Sequence, residues 1–222
     1  MATIESYVQP RRLYRYRSTA NLDRELDSII KGYLYCSPYM KLNDPMEGIF
    51  TSSSLLRKSA KYRDIRNAIR DNKARTGVCS FSEVYDHELM WAHYSNQFTG
   101  FCVAYSLARL LKAVGDNISF VRMYYDETVP TVYRTSKDPT QLAKMVLSYK
   151  NYRWLYEREW RMFAGLGKVY YRDPECVTKV YLGSRMADAD KEKIGKVLGP
   201  LEIAIKPMTI DKYFISFEDE AD

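Results

Sequence analysis

The chain has 222 residues, of which 46% are hydrophobic and 28% charged, a composition that excludes a disordered chain and allows a sizeable core. The formal net charge of +6 favours contact with phosphates or nucleic acid. No run approaches the roughly 20 apolar residues of a membrane helix, the N-terminus has no apolar signal segment, and the four cysteines form no CxxC pair. We therefore expect a cytoplasmic protein with no metal site and no membrane partner.

Periodicity and turn residues predict interleaved helices and strands in a single domain of residues 1–222, with an N-terminal arm (1–12) and an acidic tail (218–222). The predicted helices are residues 22–31, 55–73, 88–94, 107–114, 139–156 and 188–198. The predicted strands are residues 13–17, 33–37, 77–82, 100–105, 118–125, 157–164, 179–183, 201–206 and 213–216. Since strict βαβ rhythm and Gly-rich phosphate motifs are both absent, we expect an α+β fold with mixed, mostly antiparallel sheets and flanking helices.

The first predicted strand alternates aromatic and basic residues. Tyr14 and Tyr16 point to one face, and Arg15 and Arg17 point to the other. A pair of guanidinium groups on one face suits a diphosphate, because each group offers a planar fork of donors. The same pattern also suits the charged outer face of an edge strand.

The predicted helix over residues 55–73 is the most basic stretch of the chain. It carries Arg57, Lys58, Lys61, Arg63, Arg66 and Arg70. The simpler interpretation is a solvated face with i,i+4 pairs to Asp64 and its neighbours. A nucleic-acid contact is the alternative.

Two further groups of side chains are candidates for ligand binding. Ser80 and Ser82 share a face of the strand 77–82 and can orient a ribose or a neighbouring carboxylate. In the segment Met-Trp-Ala-His-Tyr, the side chains of Trp91, His93 and Tyr94 can stack on a planar ring or donate to a phosphate. Buried structural roles for the tryptophan and the histidine are equally open.

The segment Tyr-Glu-Arg-Glu-Trp-Arg, residues 156–161, is the strongest candidate for an active-site element. On a strand Glu157 and Glu159 would point to the same face. Two carboxylates on one face repel each other, so at least one needs a cation, a hydroxyl partner or a raised pKa. Paired carboxylates are typical of acid–base or cation-stabilising chemistry. A solvent-facing strand with salt bridges to Arg153 or Arg161 is the alternative.

Taken together, five motifs resemble a widespread bacterial domain family of unknown function. They are Leu-Tyr-Arg-Tyr-Arg (13–17), Leu-Asn-Asp-Pro (42–45), Ser-Phe-Ser (80–82), Met-Trp-Ala-His-Tyr (90–94) and Tyr-Glu-Arg-Glu-Trp-Arg (156–161). The resemblance covers nearly the whole chain. It implies membership of the family but names no activity.

The order of arginine, Ser-x-Ser and Glu-x-Glu also resembles the arginine–serine–glutamate class of ADP-ribosyltransferases. The resemblance implies a split β-sandwich that binds NAD in a cleft between two small mixed sheets. It assigns Arg15, with Arg17 as the alternative, to the NAD phosphates and the two serines to the ribose and the catalytic glutamate. It makes Glu159 the catalytic residue and Glu157 the residue that activates the acceptor. The sequence departs from the class between the serines, where phenylalanine stands instead of threonine.

These observations predict an NAD-dependent ADP-ribosyltransferase of toxin or antiphage-defence type. NAD would be the substrate, with Trp91, His93 and Tyr94 among the residues that bind it. Its partners would be a nucleic-acid or protein acceptor and an antitoxin or other defence-system protein.

Two alternatives remain open from the sequence. One is a Mg²⁺-dependent nuclease that uses Asp44, Glu47, Glu157 and Glu159 as ligands. The other is a non-enzymatic nucleic-acid-binding module that uses residues 57–70 and the tyrosines.

Overall fold

A computed structural model describes residues 9–133 and 138–217. The predicted acidic tail and the first eight residues of the predicted arm lie outside the described residues. The helices are α1 (Leu22–Ile30), α2 (Ser54–Arg57), α3 (Tyr62–Arg75), α4 (Glu88–Tyr94), α5 (Leu107–Ala113), α6 (Pro139–Val146) and α7 (Asp188–Leu198). In the ranges described, no helix is both long enough and apolar enough to cross a membrane.

The strands follow in chain order. They are β1 (Arg12–Arg17), β2 (Tyr33–Pro38), β3 (Thr51–Ser52), β4 (Gly77–Ser82), β5 (Phe101–Ser106), β6 (Ser119–Arg122), β7 (Tyr124–Asp126), β8 (Thr131–Val132), β9 (Tyr149–Asn151), β10 (Glu159–Ala164), β11 (Gly167–Tyr170), β12 (Val177–Leu182), β13 (Ala204–Asp211) and β14 (Phe214–Phe217). Most pairs are antiparallel, whereas β12 with β13, β3 with β8 and β7 with β9 are parallel. The predicted α+β fold with mixed, mostly antiparallel sheets is confirmed.

The chain divides into two compact units, although the sequence predicts one domain. The first unit contains Met1–Gly32, Ser82–Val114 and Tyr171–Asp222, and the second contains Tyr33–Phe81 and Gly115–Tyr170. Each unit is built from segments that are separated along the chain.

In the first unit, β1 lies beside β5 and is buried on both faces. The antiparallel register runs from Arg12 opposite Ser106 to Arg17 opposite Phe101. β5 then pairs with β12, β12 with β13, and β13 with β14. Because Leu13 is fully buried and both tyrosines of β1 are nearly so, β1 is not the solvated edge strand that its arginines allowed.

In the second unit, β4 pairs with β2 and β10, and β10 pairs with β6. The helices α3 and α6 pack together over a separate apolar cluster. This cluster contains Leu56, Ile69, Val132, Leu142 and Val146. The buried stripe of α3 is therefore one side of a small core, and the opposite side of the helix faces solvent.

The predicted long helix over residues 139–156 is wrong. α6 ends at Val146, β9 then pairs in parallel with β7, and a 3₁₀ helix follows at Tyr152–Glu157. The Asn151 side chain starts this 3₁₀ helix by accepting the Arg153 N–H. Pairing with β7 thus overrides an apolar spacing that fits a helix.

The predicted strand over residues 157–164 starts two residues later than expected. Arg158 has φ of 45°, in the left-handed region, so the chain cannot run extended through it. The predicted helix over residues 55–73 is likewise divided, since α2 ends at Arg57 and α3 begins at Tyr62.

Gly77 should be intolerant of any side chain. A Cβ there would lie 2.4 Å from the Gly165 carbonyl oxygen and 2.7 Å from the Cys36 Cβ. We expect Gly77→Ala to lower the free energy of unfolding by about 2 kcal/mol, measured by urea denaturation. Gly195→Ala is the control, because Gly195 lies inside α7 with nothing within 4 Å; it should raise stability by up to about 1 kcal/mol. Equal effects of the two changes would contradict the steric argument.

Candidate functional site

A fully buried arginine organises the second unit. Arg161 lies on β10, where Glu159 shares its face at a spacing of two residues. Its Nε donates to Glu159 Oε1 at 2.8 Å, and its Nη1 and Nη2 donate to the two oxygens of Glu47 at 2.8 and 2.5 Å. Nη1 also donates to the Leu147 carbonyl oxygen at 2.7 Å. The guanidinium group thus joins β10 to the loop that follows β2.

Lys150 joins three carboxylates in the same place. Its ammonium group on β9 donates to Glu159 Oε2 at 3.0 Å and to Glu157 Oε2, and it lies 3.8 Å from Glu47 Oε1. The Trp154 ring lies 5.1 Å from the ammonium nitrogen, within cation–π range. Each of the three carboxylates in this ionic cluster is at least nine-tenths buried.

Electrostatics keep the ionic cluster charged. Burial raises the pKa of the Glu159 carboxyl, but Arg161 and Lys150 outweigh it and lower the pKa to about 2. Burial lowers the pKa of the Lys150 ammonium, whereas Glu159 and Glu157 raise it to a net value above the ordinary one. Three carboxylates face two cations, so the formal charge of the cluster is one negative unit.

Two hydroxyl side chains complete the surroundings of Glu159. Ser80, half-buried on β4, hydrogen-bonds to the Glu159 carboxylate and contributes to its lowered pKa. The Tyr125 hydroxyl on β7 accepts the Glu159 backbone N–H at 2.7 Å. Burial raises the pKa of Tyr125, so this hydroxyl stays protonated at neutral pH. Glu159 is therefore fixed from several sides before any ligand arrives.

The ionic cluster adjoins a pocket in the second unit. Glu47 and Lys150 line it, and it has about 410 Å³ of free space, part of which is open to solvent. The other charged lining residues are Asp44, Asp126 and Glu127. The pocket is consequently acidic and suits a cationic or electron-poor group better than a phosphate.

The loop that carries Glu47 is held from two directions. The Asp44 carboxylate accepts the Met46 N–H at 2.8 Å, which closes a tight turn. Lys73 of α3 donates to the Gly48 carbonyl oxygen at 2.6 Å. Gly48 has φ of +71°, a conformation that glycine adopts readily. Helix α3 thereby fixes one wall of the site.

The predicted residues Glu157, Glu159 and Ser80 come together in the second unit. The position of Glu157 differs from the prediction, because this residue ends the 3₁₀ helix and does not lie on the strand with Glu159. The two carboxylates lie close together because both contact Lys150, and not because they share a strand face. The alternative of a solvent-facing strand is wrong, since β10 is buried from Glu159 to Phe163.

The predicted phosphate-binding arginines lie on β1, in the first unit. Arg17 Nε is 3.3 Å from Glu25 Oε2 on α1. Burial raises the pKa of Glu25, but Arg17 and Arg24 outweigh it, so the net pKa is lowered and the pair stays charged. Arg15 is buried beside it. Arg15 also lowers the pKa of Glu25, so both arginines of β1 lie near this carboxylate.

The other predicted ligand-binding residues also belong to the first unit. Trp91 is fully buried, donates to the Tyr85 carbonyl oxygen at 2.7 Å and packs edge-on against Tyr16 at 5.2 Å, a geometry that favours a packing role. His93 is exposed and Tyr94 half-buried at the end of α4.

Ser82 is buried at the end of β4. Its hydroxyl accepts the Val84 N–H at 3.1 Å, which starts the turn after the strand. Its neighbour on the same strand face, Ser80, hydrogen-bonds to Glu159 instead. The two serines of the motif thus have different roles.

The proposed magnesium ligands do not form a metal site. Across residues 9–133 and 138–217, no group of three or more His, Cys, Asp or Glu side chains is arranged to hold a metal ion. Glu47, Glu157 and Glu159 are engaged by Arg161 and Lys150, which occupy the positions that a cation would need.

The sequence missed two members of the site. Lys150 lies within the predicted helix over residues 139–156, and the three-residue strand that forms there is too short to show alternation. Tyr125 contributes a hydroxyl that no motif marks. Arg161 was part of a recognised motif but was considered only as a surface salt-bridge partner.

In the comparison with known proteins, one segment of the chain matches a protein family. Residues 90–162 match the family described as a protein of unknown function, DUF2971. The match covers about a third of the chain and confirms the resemblance to a domain family of unknown function. The DUF2971 segment includes Lys150, Glu157, Glu159 and Arg161, whereas Glu47 and Ser80 lie before it. No curated protein and no solved structure matches the chain.

The lowered pKa of Glu159 predicts a specific acid sensitivity. The folded-state pKa is about 2 against an ordinary 4.5, so the ionised form stabilises the fold above about pH 4.5 and this stabilisation is lost as the pH falls toward 2. We expect the free energy of unfolding to fall more steeply between pH 4.5 and 2.5 in the wild type than in Glu159→Gln, measured by urea denaturation.

The exposed pair Glu192 and Lys196 on α7 provides the control. Glu192→Gln should retain the pH slope of the wild type. If the Glu159→Gln curve runs parallel to the wild-type curve, the Glu159 carboxylate does not have the proposed electrostatic role.

Proposed function

We propose that the protein is an NAD-dependent ADP-ribosyltransferase that transfers ADP-ribose to a macromolecular acceptor. Glu159 and Glu157 are its catalytic carboxylates in this proposal. The observation that carries it is the hydrogen bond between Ser80 and the Glu159 carboxylate. It links the serine and glutamate motifs in the way that the resemblance to the arginine–serine–glutamate class implies.

The charge of the site supports this chemistry. Nicotinamide in NAD carries a positive ring, and its departure moves positive charge to the ribose carbon. A preorganised negative group in a buried environment stabilises such a charge more strongly than water does. The ionic cluster provides one excess negative charge beside an acidic pocket.

The proposed reaction gives the two carboxylates different roles. The bond between the ribose carbon and the nicotinamide nitrogen breaks, and both electrons leave with neutral nicotinamide. An acceptor oxygen or nitrogen then bonds to the same carbon and releases a proton. In the proposal Glu159, held by Arg161 and Ser80, stabilises the sugar cation. Glu157, which shares its cation contact Lys150 with Glu159, receives the proton.

The diphosphate has a separate candidate in Arg15. An acidic pocket alone would repel the two phosphates, so the proposal needs a cation at that end of NAD. The resemblance to the arginine–serine–glutamate class assigns this role to Arg15, with Arg17 as the alternative.

Release of nicotinamide tests the role of Glu159. With NAD labelled in nicotinamide and cell extract as the acceptor source, we expect Glu159→Gln to release nicotinamide at least about 100-fold more slowly than the wild type, because the developing cation loses its carboxylate. Ser80→Ala should reduce release by a smaller factor. Glu192→Gln is the control and should match the wild type, and circular dichroism establishes that each variant is folded.

Glu157→Gln separates the two roles. We expect it to reduce transfer of ADP-ribose to the acceptor more than it reduces nicotinamide release, measured with NAD labelled in the adenylate. A wild-type protein that neither releases nicotinamide nor labels any acceptor would overturn the proposed function.

A further inference from the structure

The positive charge of the protein is concentrated in one segment of the second unit. Residues 54–75, which contain α2 and α3 and are called the basic segment, have eight basic and two acidic residues. This excess of six positive charges equals the formal net charge of the whole chain. The rest of the protein is formally neutral.

Most of these cations are exposed, and most have no ion-pair partner among the described residues. The exposed residues are Arg57, Lys58, Lys61, Arg63, Arg66, Arg70 and Arg75. Of these seven, only Arg70 has an ion pair within the part of the chain that the structure describes, with Asp71 at 3.2 Å. The i,i+4 pairs to Asp64 that the simpler interpretation required are therefore not formed there.

The lysines of α7 provide a contrast. Lys191, Lys193 and Lys196 lie 2.9, 2.6 and 2.6 Å from carboxylate oxygens of Asp188, Asp23 and Glu192. The lysines of α7 are thus neutralised locally, whereas most cations of the basic segment have no ion pair with a described residue. The difference favours an external anion as the partner of the basic segment.

Three arginines of α3 form a stripe. Arg63, Arg66 and Arg70 follow the spacing i, i+3, i+7, which places them on one face of the helix with about 5–6 Å between neighbours. Arg66 is held by the Tyr62 hydroxyl at 3.2 Å and lies over the Tyr62 ring. A row of cations at this spacing suits a chain of phosphates better than a single small anion.

The apolar side of α3 argues against a membrane as the partner. Ile69 is fully buried in the cluster under α6, and Ile65 packs against the same cluster. A helix that binds a bilayer surface must insert an apolar face between the lipids. In α3 that face is already used by the core, so only the polar face is left for a partner.

We infer that the exposed face of the basic segment binds the phosphate backbone of a nucleic acid. This interaction does not depend on the transferase activity and needs no NAD. The basic segment is also connected to the candidate site, because Lys73 on the inner face of α3 holds the loop that carries Glu47. A nucleic acid on α3 would lie on the helix that fixes one wall of the pocket.

The test is fluorescence anisotropy of labelled 20-nucleotide single-stranded RNA, duplex RNA and duplex DNA, titrated with the full chain without NAD. We expect binding to at least one of these, with Kd at least tenfold higher in Arg63→Gln/Arg66→Gln/Arg70→Gln. Loss of three phosphate contacts should flatten the plot of log K against log salt concentration by about 2 for a single strand. Glu159→Gln should bind as the wild type does, which separates this inference from the proposed function.

The matched control is Lys191→Gln/Lys193→Gln/Lys196→Gln, which removes the same charge from α7 and should change Kd by less than about twofold. Equal losses in the two triple variants would overturn the inference, because net charge alone would then explain binding. No binding to any of the three nucleic acids at 50 mM salt would also overturn it. So would binding of the wild type to phosphatidylserine vesicles but to no nucleic acid.

Discussion

The second unit depends on the burial of Arg161. A guanidinium group taken out of water costs several kcal/mol unless its donors are matched by acceptors. Here Glu47, Glu159 and the Leu147 carbonyl oxygen supply them. Glu47 lies 114 residues before Arg161, so the ion pair forms only when the loop after β2 and the strand β10 are both in place. Removal of either partner would leave a buried charge, and the groups are therefore required together.

The charge balance of the ionic cluster differs from what stability alone would favour. Two cations opposite three carboxylates make burial tolerable, and the formal sum over these five groups is one negative unit. A core built only for stability would have no such excess, since a balanced pair or apolar residues would cost less. The excess charge and the adjoining pocket are consequently the features of the second unit that point to function. The proposed stabilisation of a ribosyl cation uses both.

The matched segment includes only part of the ionic cluster and its surroundings. The DUF2971 segment contains the ionic residues of β9 and β10 but neither Glu47 nor Ser80, which complete their surroundings. It also contains Trp91, whose buried indole packs the first unit. The matched segment thus includes a residue of the first unit's core and part of the charged site. The basic segment lies entirely before the match, and its proposed partner is inferred from charge and exposure alone.

The sequence by itself determined the α+β class, the absence of nucleotide-binding glycine motifs and the strand β1, and it selected Glu157 and Glu159 as candidates, because these follow from local periodicity and short motifs. Only the tertiary structure decided that Glu157 leaves the strand at Arg158, that Lys150 belongs to a strand beside β7, and that Arg161 is buried against Glu47. Such contacts join residues far apart in the chain, and their energies depend on burial, which local patterns do not record.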